Sequence, residues 1–273
     1  MPLLGDDKQA ALQPPGTAPA KPWDREARTA DDARTVHEWR KLYEKTATAS
    51  DWQSVHRWYP GDHPALAAID IREKLRLGTH DRVLEVGCAS GQLMSLVLEE
   101  TQIGIGLDHC EPLVRRSRDF SVDTTRIRLA VAEASKLPIS SASFDRVFSY
   151  SVFQCFPSAH HAATVLAEMI RTCRPGGIVF IGDVFGVMEK QRRVLRRIGL
   201  PEFVVRGLLL PLSPLWHIRH RSNNAGDGLL RRSYDRRFFA NIAKSHGCRA
   251  EFLLQRVPGR VHSKARFDVR IYK

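Results

Sequence analysis

Strands alternating with helices through the middle of this chain predict an α/β fold built on a doubly wound sheet. Three observations carry that expectation. Five short apolar segments, Val83–Val86, Ile103–Asp108, Arg128–Ala134, Asp145–Tyr150 and Ile178–Asp183, each read as a strand. Stretches with helical spacing fill the gaps near 91–100, 112–121 and 160–173. Two more strand-like runs, Ala250–Gln255 and Phe267–Tyr272, follow a helical Tyr234–His246 closed by Gly247. Together they predict seven strands: five parallel ones and a C-terminal antiparallel hairpin element.

The elements follow in order. Residues 1–30 carry Pro2, Pro14, Pro15, Pro19 and Pro22 among few large apolar groups, the composition of a flexible tail. Asp6 and Asp7, without an apolar stretch behind them, speak against a secretory leader. Residues 31–77 read as a helical N-terminal cap. Val36, Trp39, Leu42 and Tyr43 recur at helical spacing within Asp31–Thr46, and His63-Pro64 opens a helix running to Arg76, with Gly78 as its stop. Trp52, Trp58 and Tyr59 lie between them; core packing is the expectation for these aromatics, with Tyr43 or Trp58 as the alternative wall of a pocket. Residues 78–184 hold the five parallel strands.

Residues 185–233 interrupt the pattern. Gln191–Ile198 is helical in spacing and strongly basic, whereas Phe203–Ile218 is apolar but broken by Arg206, Pro211 and Pro214. That run is too short to span a bilayer, and no transmembrane segment is expected anywhere. An insertion after the fifth strand borders the ligand crevice, so a lid is the favoured reading. Peripheral membrane contact through 203–218 competes with it, because Leu208, Leu209, Leu210 and Trp216 sit among arginines. Residues 234–273 then complete the core.

Composition narrows the classes. A chain of 273 residues with 43% apolar content buries a sizeable core. Cys88, Cys110, Cys155, Cys173 and Cys248 are odd in number and scattered, which favours reduced thiols in a cytoplasm over a disulfide framework or a metal site. The charge is lopsided: residues 186–273 hold 20 Lys and Arg against 6 Asp and Glu, so the whole +12 excess lies beyond the fifth strand. Such a face either solvates the protein or gathers an anionic partner.

The most informative segment is Val83-Leu84-Glu85-Val86-Gly87-Cys88-Ala89-Ser90-Gly91. An apolar run ends in an acid and a small-residue loop, and a helical pattern follows. Gly87 allows the tight turn, Ala89 keeps the loop thin, and Gly91 lets the helix start close to the strand. Gln92 stands where a dinucleotide-binding loop would place its last glycine, and an acid before the turn suits a ligand with an ammonium or sulfonium better than a phosphate. A nicotinamide dehydrogenase is disfavoured on the same ground. Asp108 ends the second run 21 residues after Gly87, where a carboxylate reaches ribose hydroxyls; a helix N-cap is the alternative, since Glu111 and Pro112 follow.

This segment resembles the first motif of the class I S-adenosylmethionine-dependent methyltransferases, in particular the type 11 group, with Ala89 at the middle glycine. The likeness continues through Glu133-Ala134, Leu137-Pro138-Ile139, Ser143-Phe144-Asp145 and Arg174-Pro175-Gly176-Gly177, five blocks over about 100 residues. It departs from the group at Glu133, where Asp is usual, at Ile139, and at Gln154-Cys155, where many relatives carry a His pair. The resemblance implies a Rossmann-like sheet and S-adenosylmethionine as cofactor. It further implies a cofactor-binding set of Glu85, Gly87, Cys88, Ala89, Gly91, Asp108, His109, Glu133, Ala134, Ser149 and Tyr150. Within that set Glu85 takes the amino end, Asp108 the ribose, His109 one adenine face, Glu133 with the Ala134 amide the adenine edge, and Ser149 and Tyr150 the methionine portion.

Methyl transfer to an alcohol needs a base. His160 and Asp183 are the leading candidates by position at strand ends; His161, His217, His220 and Tyr234 rank below them. The expected acceptor is a small-molecule or glycan-like hydroxyl, possibly anionic. RNA methylation, prompted by the basic last third, is less favoured because no appended RNA-binding module is legible. A non-catalytic cofactor-binding subunit is the third reading, prompted by Ala89 and the missing His pair.

Overall fold

The computed structural model describes residues 41–44, 64–99, 102–117, 122–187, 204, 232–255, 257 and 266–273. The tail, Trp52, Trp58, Tyr59, the basic helix at 191–198, the apolar run 203–218 save for Val204, His217 and His220 lie outside the described residues.

Helix α1 (Pro64–Leu75) precedes strand β1 (Arg82–Val86), and α2 (Gln92–Val97) leads to β2 (Ile103–Asp108). The short α3 (Glu111–Arg115), β3 (Ile127–Val131) and β4 (Phe144–Tyr150) follow. A 3-10 turn at Phe153–Cys155 and α4 (Ala159–Thr172) come next, then β5 (Cys173–Phe185). Helix α5 (Arg236–Ser245), β6 (Arg249–Leu253) and β7 (Arg266–Tyr272) close the fold. All seven strands form one sheet in the order β3-β2-β1-β4-β5-β7-β6. β1 to β5 are parallel, and β7 runs antiparallel between β5 and β6. The order reverses between β1 and β4, which opens a crevice at the carboxyl ends of those strands.

Period-two alternation explains the layers. Leu84 and Val86, Val147, and Val179 and Ile181 face one core with α4 and α5; Val83, Phe148 and Tyr150, and Ile178 and Phe180 face the other with α1 and α2. Local signals start the helices where the sequence places them. Ser158 Oγ accepts from the His161 amide and Asp235 from the Arg237 amide, caps worth about 1 kcal/mol each. Gly247, at φ 69°, ends α5 as expected.

Two readings shift. The Pro175-Gly176-Gly177 segment does not precede the fifth strand as a separate turn but lies inside it: Cys173 pairs with Phe144, the register slips, and Ile178 pairs with Arg146. The Gly176 amide and Gly177 carbonyl instead bond to Lys273, which draws the segment into the sheet. Tyr234 belongs to the interior rather than to a lid. Its hydroxyl donates to the Phe153 carbonyl at 2.7 Å, and burial pushes the phenol far above its usual range, so it is no proton acceptor. Among the described residues no helix is long and apolar enough to cross a membrane.

Candidate cofactor site at the carboxyl edge of the sheet

The β1–α2 loop is built from left-handed backbone. Gly87 and Gly91 sit at φ 82° and 76°, and Ala89, between them, at 49°. At Gly87 a Cβ would come within 2.5 Å of Val152, in the segment following β4, so the missing side chain lets loop and turn close on each other. The loop is tied to β2 by its backbone: the Gly87 and Cys88 amides both donate to the Leu107 carbonyl.

Asp108 completes that tie. Its Oδ2 accepts from the Ala89 amide at 2.8 Å and its Oδ1 from the Cys110 amide at 2.9 Å. The carboxylate thus locks the loop and opens the turn into α3, and each oxygen keeps further acceptor capacity. It does not cap α3 directly, because Cys110 holds the N-cap position. His109 lies beside it, Nδ1 at 3.5 Å from Oδ1. Cys88 is buried beneath the loop, and burial together with the nearby Asp108 and Glu85 charges raises its thiol well above the usual range.

Glu85 is the anomaly of the sheet. Alternation assigns its side chain to the face of Val83, where apolar residues are required, yet it is a carboxyl only 2% exposed. Its Oε2 has no hydrogen-bond partner. Desolvation first, and the Asp108 charge second, raise its pKa well above the ordinary carboxylate range. A buried carboxyl without a partner costs free energy, and a cation held there would recover it. Three more buried polar atoms at this edge lack partners: Ser149 Oγ, Gln154 Oε1 and His160 Nδ1. Gln154 is fixed by its amide, which donates to the Ser151 carbonyl and hydroxyl and leaves the carbonyl oxygen unused.

The structure therefore brings Glu85, Gly87, Cys88, Ala89, Gly91, Asp108, His109 and Ser149 to the carboxyl ends of β1, β2 and β4. Glu133 and Ala134 follow β3 at the same edge, but Glu133 is half exposed and pairs with Ser135 (3.3 Å) and His161 (3.7 Å). Tyr150 turns its ring into the α1–α2 core. His160 occupies the first turn of α4. Asp183 departs most from expectation. It is fully buried at φ 63°; Gln255 donates to its Oδ1 at 2.7 Å, and Arg266 forms an ion pair with its Oδ2. With both oxygens engaged inside the protein, its setting is that of a structural node rather than a base facing the crevice. Two residues escaped sequence reasoning. Gln154 and Cys155 stand in the sequence only as the loss of a His pair; both lie in the 3-10 turn that follows β4.

The unpartnered Glu85 carboxyl fits the ammonium of S-adenosylmethionine, and Asp108, at the end of β2, fits its ribose. Residues 84–181 match the methyltransferase domain family model. The chain is 28% identical over 184 residues to 27-O-demethylrifamycin SV methyltransferase of Amycolatopsis mediterranei, covering 60% of this chain and 66% of that protein. It is 36% identical over 122 residues to a probable non-canonical nonribosomal peptide synthetase, CymA, of Salinispora arenicola, covering 43% of this chain and 2% of that protein. In fold it resembles the 1,6-didemethyltoxoflavin-N1-methyltransferase of Burkholderia thailandensis, with TM-score 0.54 at 18% identity, covering 90% and 91% of the two chains. The chain spans 30% or less of the length of three of the curated relatives it matches, CymA among them. Residues 84–181 are a methyltransferase domain of the class I, S-adenosylmethionine-dependent type.

Proposed function

We propose that this protein transfers a methyl group from S-adenosylmethionine to the hydroxyl of a small-molecule or glycan-like acceptor. The single observation that carries the reading is Glu85: a fully buried carboxyl at the end of β1, beside Asp108, with an oxygen that nothing among the described residues satisfies. When bound, the cofactor supplies an electrophilic methyl on a sulfonium that is already a good leaving group. The protein's work is then alignment, exclusion of water and removal of one proton.

Each residue has a role in that scheme. Glu85 receives the ammonium, Asp108 accepts from the ribose while holding the loop, and Glu133 with the Ala134 amide borders the adenine. Gln154 Oε1 and Ser149 Oγ offer hydrogen bonds at the β4 edge. His160, with Nδ1 unpartnered at the start of α4, is the group positioned to take the acceptor proton. The oxygen as acceptor atom draws support from the rifamycin relative, whose name refers to an O-demethylated substrate.

Calorimetry on the full chain tests the reading. S-adenosylmethionine and S-adenosylhomocysteine should each bind at one site, and a radiolabelled methyl group should appear in small-molecule fractions of a metabolite extract. No heat from either ligand on folded protein removes the proposal. Label appearing instead in RNA, with a steep salt dependence, would transfer it to the nucleic-acid reading.

A further inference from the structure

Tyr43 lies on a helical turn at 41–44, about forty residues ahead of β1 in sequence, yet it reaches the rim of the crevice. Its ring packs against the Cys110–Leu113 cluster, on which Ala89 of the β1–α2 loop also rests. It meets His109 edge-on, with ring centroids 6.3 Å apart. Its hydroxyl lies 3.4 Å from Cys155 Sγ. Ala89 belongs to the loop after β1, His109 and Cys110 to the end of β2, and Cys155 to the turn after β4. One side chain therefore reaches from the end of β2 to the turn after β4, across β1 and the order reversal.

A tyrosine that served only the core would pack within one layer. Tyr43 is half-buried, carries its apolar ring over the loop and holds its polar end against a half-buried thiol. We propose that Tyr43 is a positioning residue that closes the mouth of the crevice, joining the cofactor-side rim at His109 and Cys110 to the acceptor-side rim at Cys155. The ring keeps water from the loop and retains the bound nucleoside. The hydroxyl ties the wall to the β4 turn and so sets the acceptor's approach. This inference rests on the function proposed above and adds a residue outside the matched domain to its site.

The test uses the full chain, S-adenosylhomocysteine as ligand and N-ethylmaleimide as a probe of Cys155, read by peptide mass spectrometry so that the other cysteines are resolved. In the wild type, the ligand should slow labelling of Cys155. Y43A should weaken the ligand about tenfold or more, chiefly through faster release, and should speed Cys155 labelling by a similar factor. Y43F retains the ring, so affinity should stay within about threefold while Cys155 labelling still accelerates, because the hydroxyl tie is gone. Y43F also serves if Y43A fails to fold. Unchanged Cys155 labelling in Y43F, or wild-type affinity in folded Y43A, overturns the inference alone. No heat from the wild type overturns the proposed function and this inference with it.

Discussion

At the junction of β5 and β7, buried carboxylates have a partner for each oxygen; at the end of β1, Glu85 leaves Oε2 with none. Asp183 is held by Gln255 and Arg266. Asp268 accepts from the Asp183 amide at 2.7 Å with one oxygen and pairs with Lys74 at 2.5 Å with the other. Lys74 in turn reaches Asp70 one helical turn back on α1. This knot joins α1 to the two strands and holds Asp183 and Asp268 fully buried against their counter-charges. The knot also keeps unpartnered buried atoms, Asp70 Oδ1 and Gln255 Oε1, but its charges are paired; at the β1 edge Glu85 is a buried carboxyl with no counter-charge among the described residues, beside unpartnered atoms of Ser149, Gln154 and His160. Buried charge that is paired holds a fold together, whereas buried charge that is not is stable only if something arrives to pair with it.

The sharpest way to break the comparison is at the knot. Asp183→Ala leaves Arg266 buried without its carboxylate and should cost about 3–5 kcal/mol of stability, read from urea denaturation. Affinity for S-adenosylhomocysteine in the folded fraction should hold. A variant that unfolds like the wild type but has lost only turnover would restore Asp183 as a base. The next largest effect lies at the edge. Asp108→Ala strands the Ala89 and Cys110 amides and removes the ribose acceptor, so calorimetry should show about a 100-fold loss of affinity, equivalent to about 2.7 kcal/mol. Wild-type affinity in this variant would mean that the loop, and not the carboxylate, carries recognition.

The asymmetry between the regions also explains what was legible in the sequence. Strand positions and their order along the chain were readable, because alternation and the small-residue loop are local signals: β1, β2 and β4 begin and end within a residue of the runs that announce them. The places of Glu85 and Asp108 at the ends of β1 and β2 were readable for the same reason. The pairing of Asp183 was not readable because its partners are remote: Gln255 and Arg266 lie 72 and 83 residues away, and no periodicity announces a pair across such a gap. Tyr43 shows the same blindness in reverse. Helical spacing found its helix, but only the folded chain sets it against Cys155, 112 residues on.

Glu85 offers a finer test through protonation. In the free protein its carboxyl holds its proton well above the ordinary range, because burial and Asp108 oppose the charge. Pairing with an ammonium requires the ionised form, so binding should release a proton and affinity should rise with pH until that elevated range is passed. The effect on stability has the opposite sign. A carboxyl with a raised folded value stabilises the fold at low pH and loses that contribution as pH rises through the folded value. Glu85→Gln should remove both dependences. It should weaken S-adenosylhomocysteine about tenfold at neutral pH while leaving the apo fold at least as stable, since a buried charge is gone. An equal pH slope of affinity in wild type and variant would exclude Glu85 from the ammonium site.

The smallest expected effect concerns the departure from the methyltransferase motif itself. Ala89 stands at φ 49°, a left-handed conformation that costs a residue with a Cβ about 1 kcal/mol. Its amide is nonetheless held by Asp108, so the conformation is imposed by the loop. Ala89→Gly relieves that strain but returns conformational freedom to the unfolded chain, a loss of about 0.4–1 kcal/mol. The two terms nearly cancel, so stability should change by under about 1 kcal/mol and ligand affinity by less than about twofold. That outcome identifies Ala89 as a tolerated strain in a working loop. A large gain in affinity would instead mean that the methyl group obstructs the crevice, and it would favour the reading of this chain as a non-catalytic subunit whose natural loop binds the cofactor poorly.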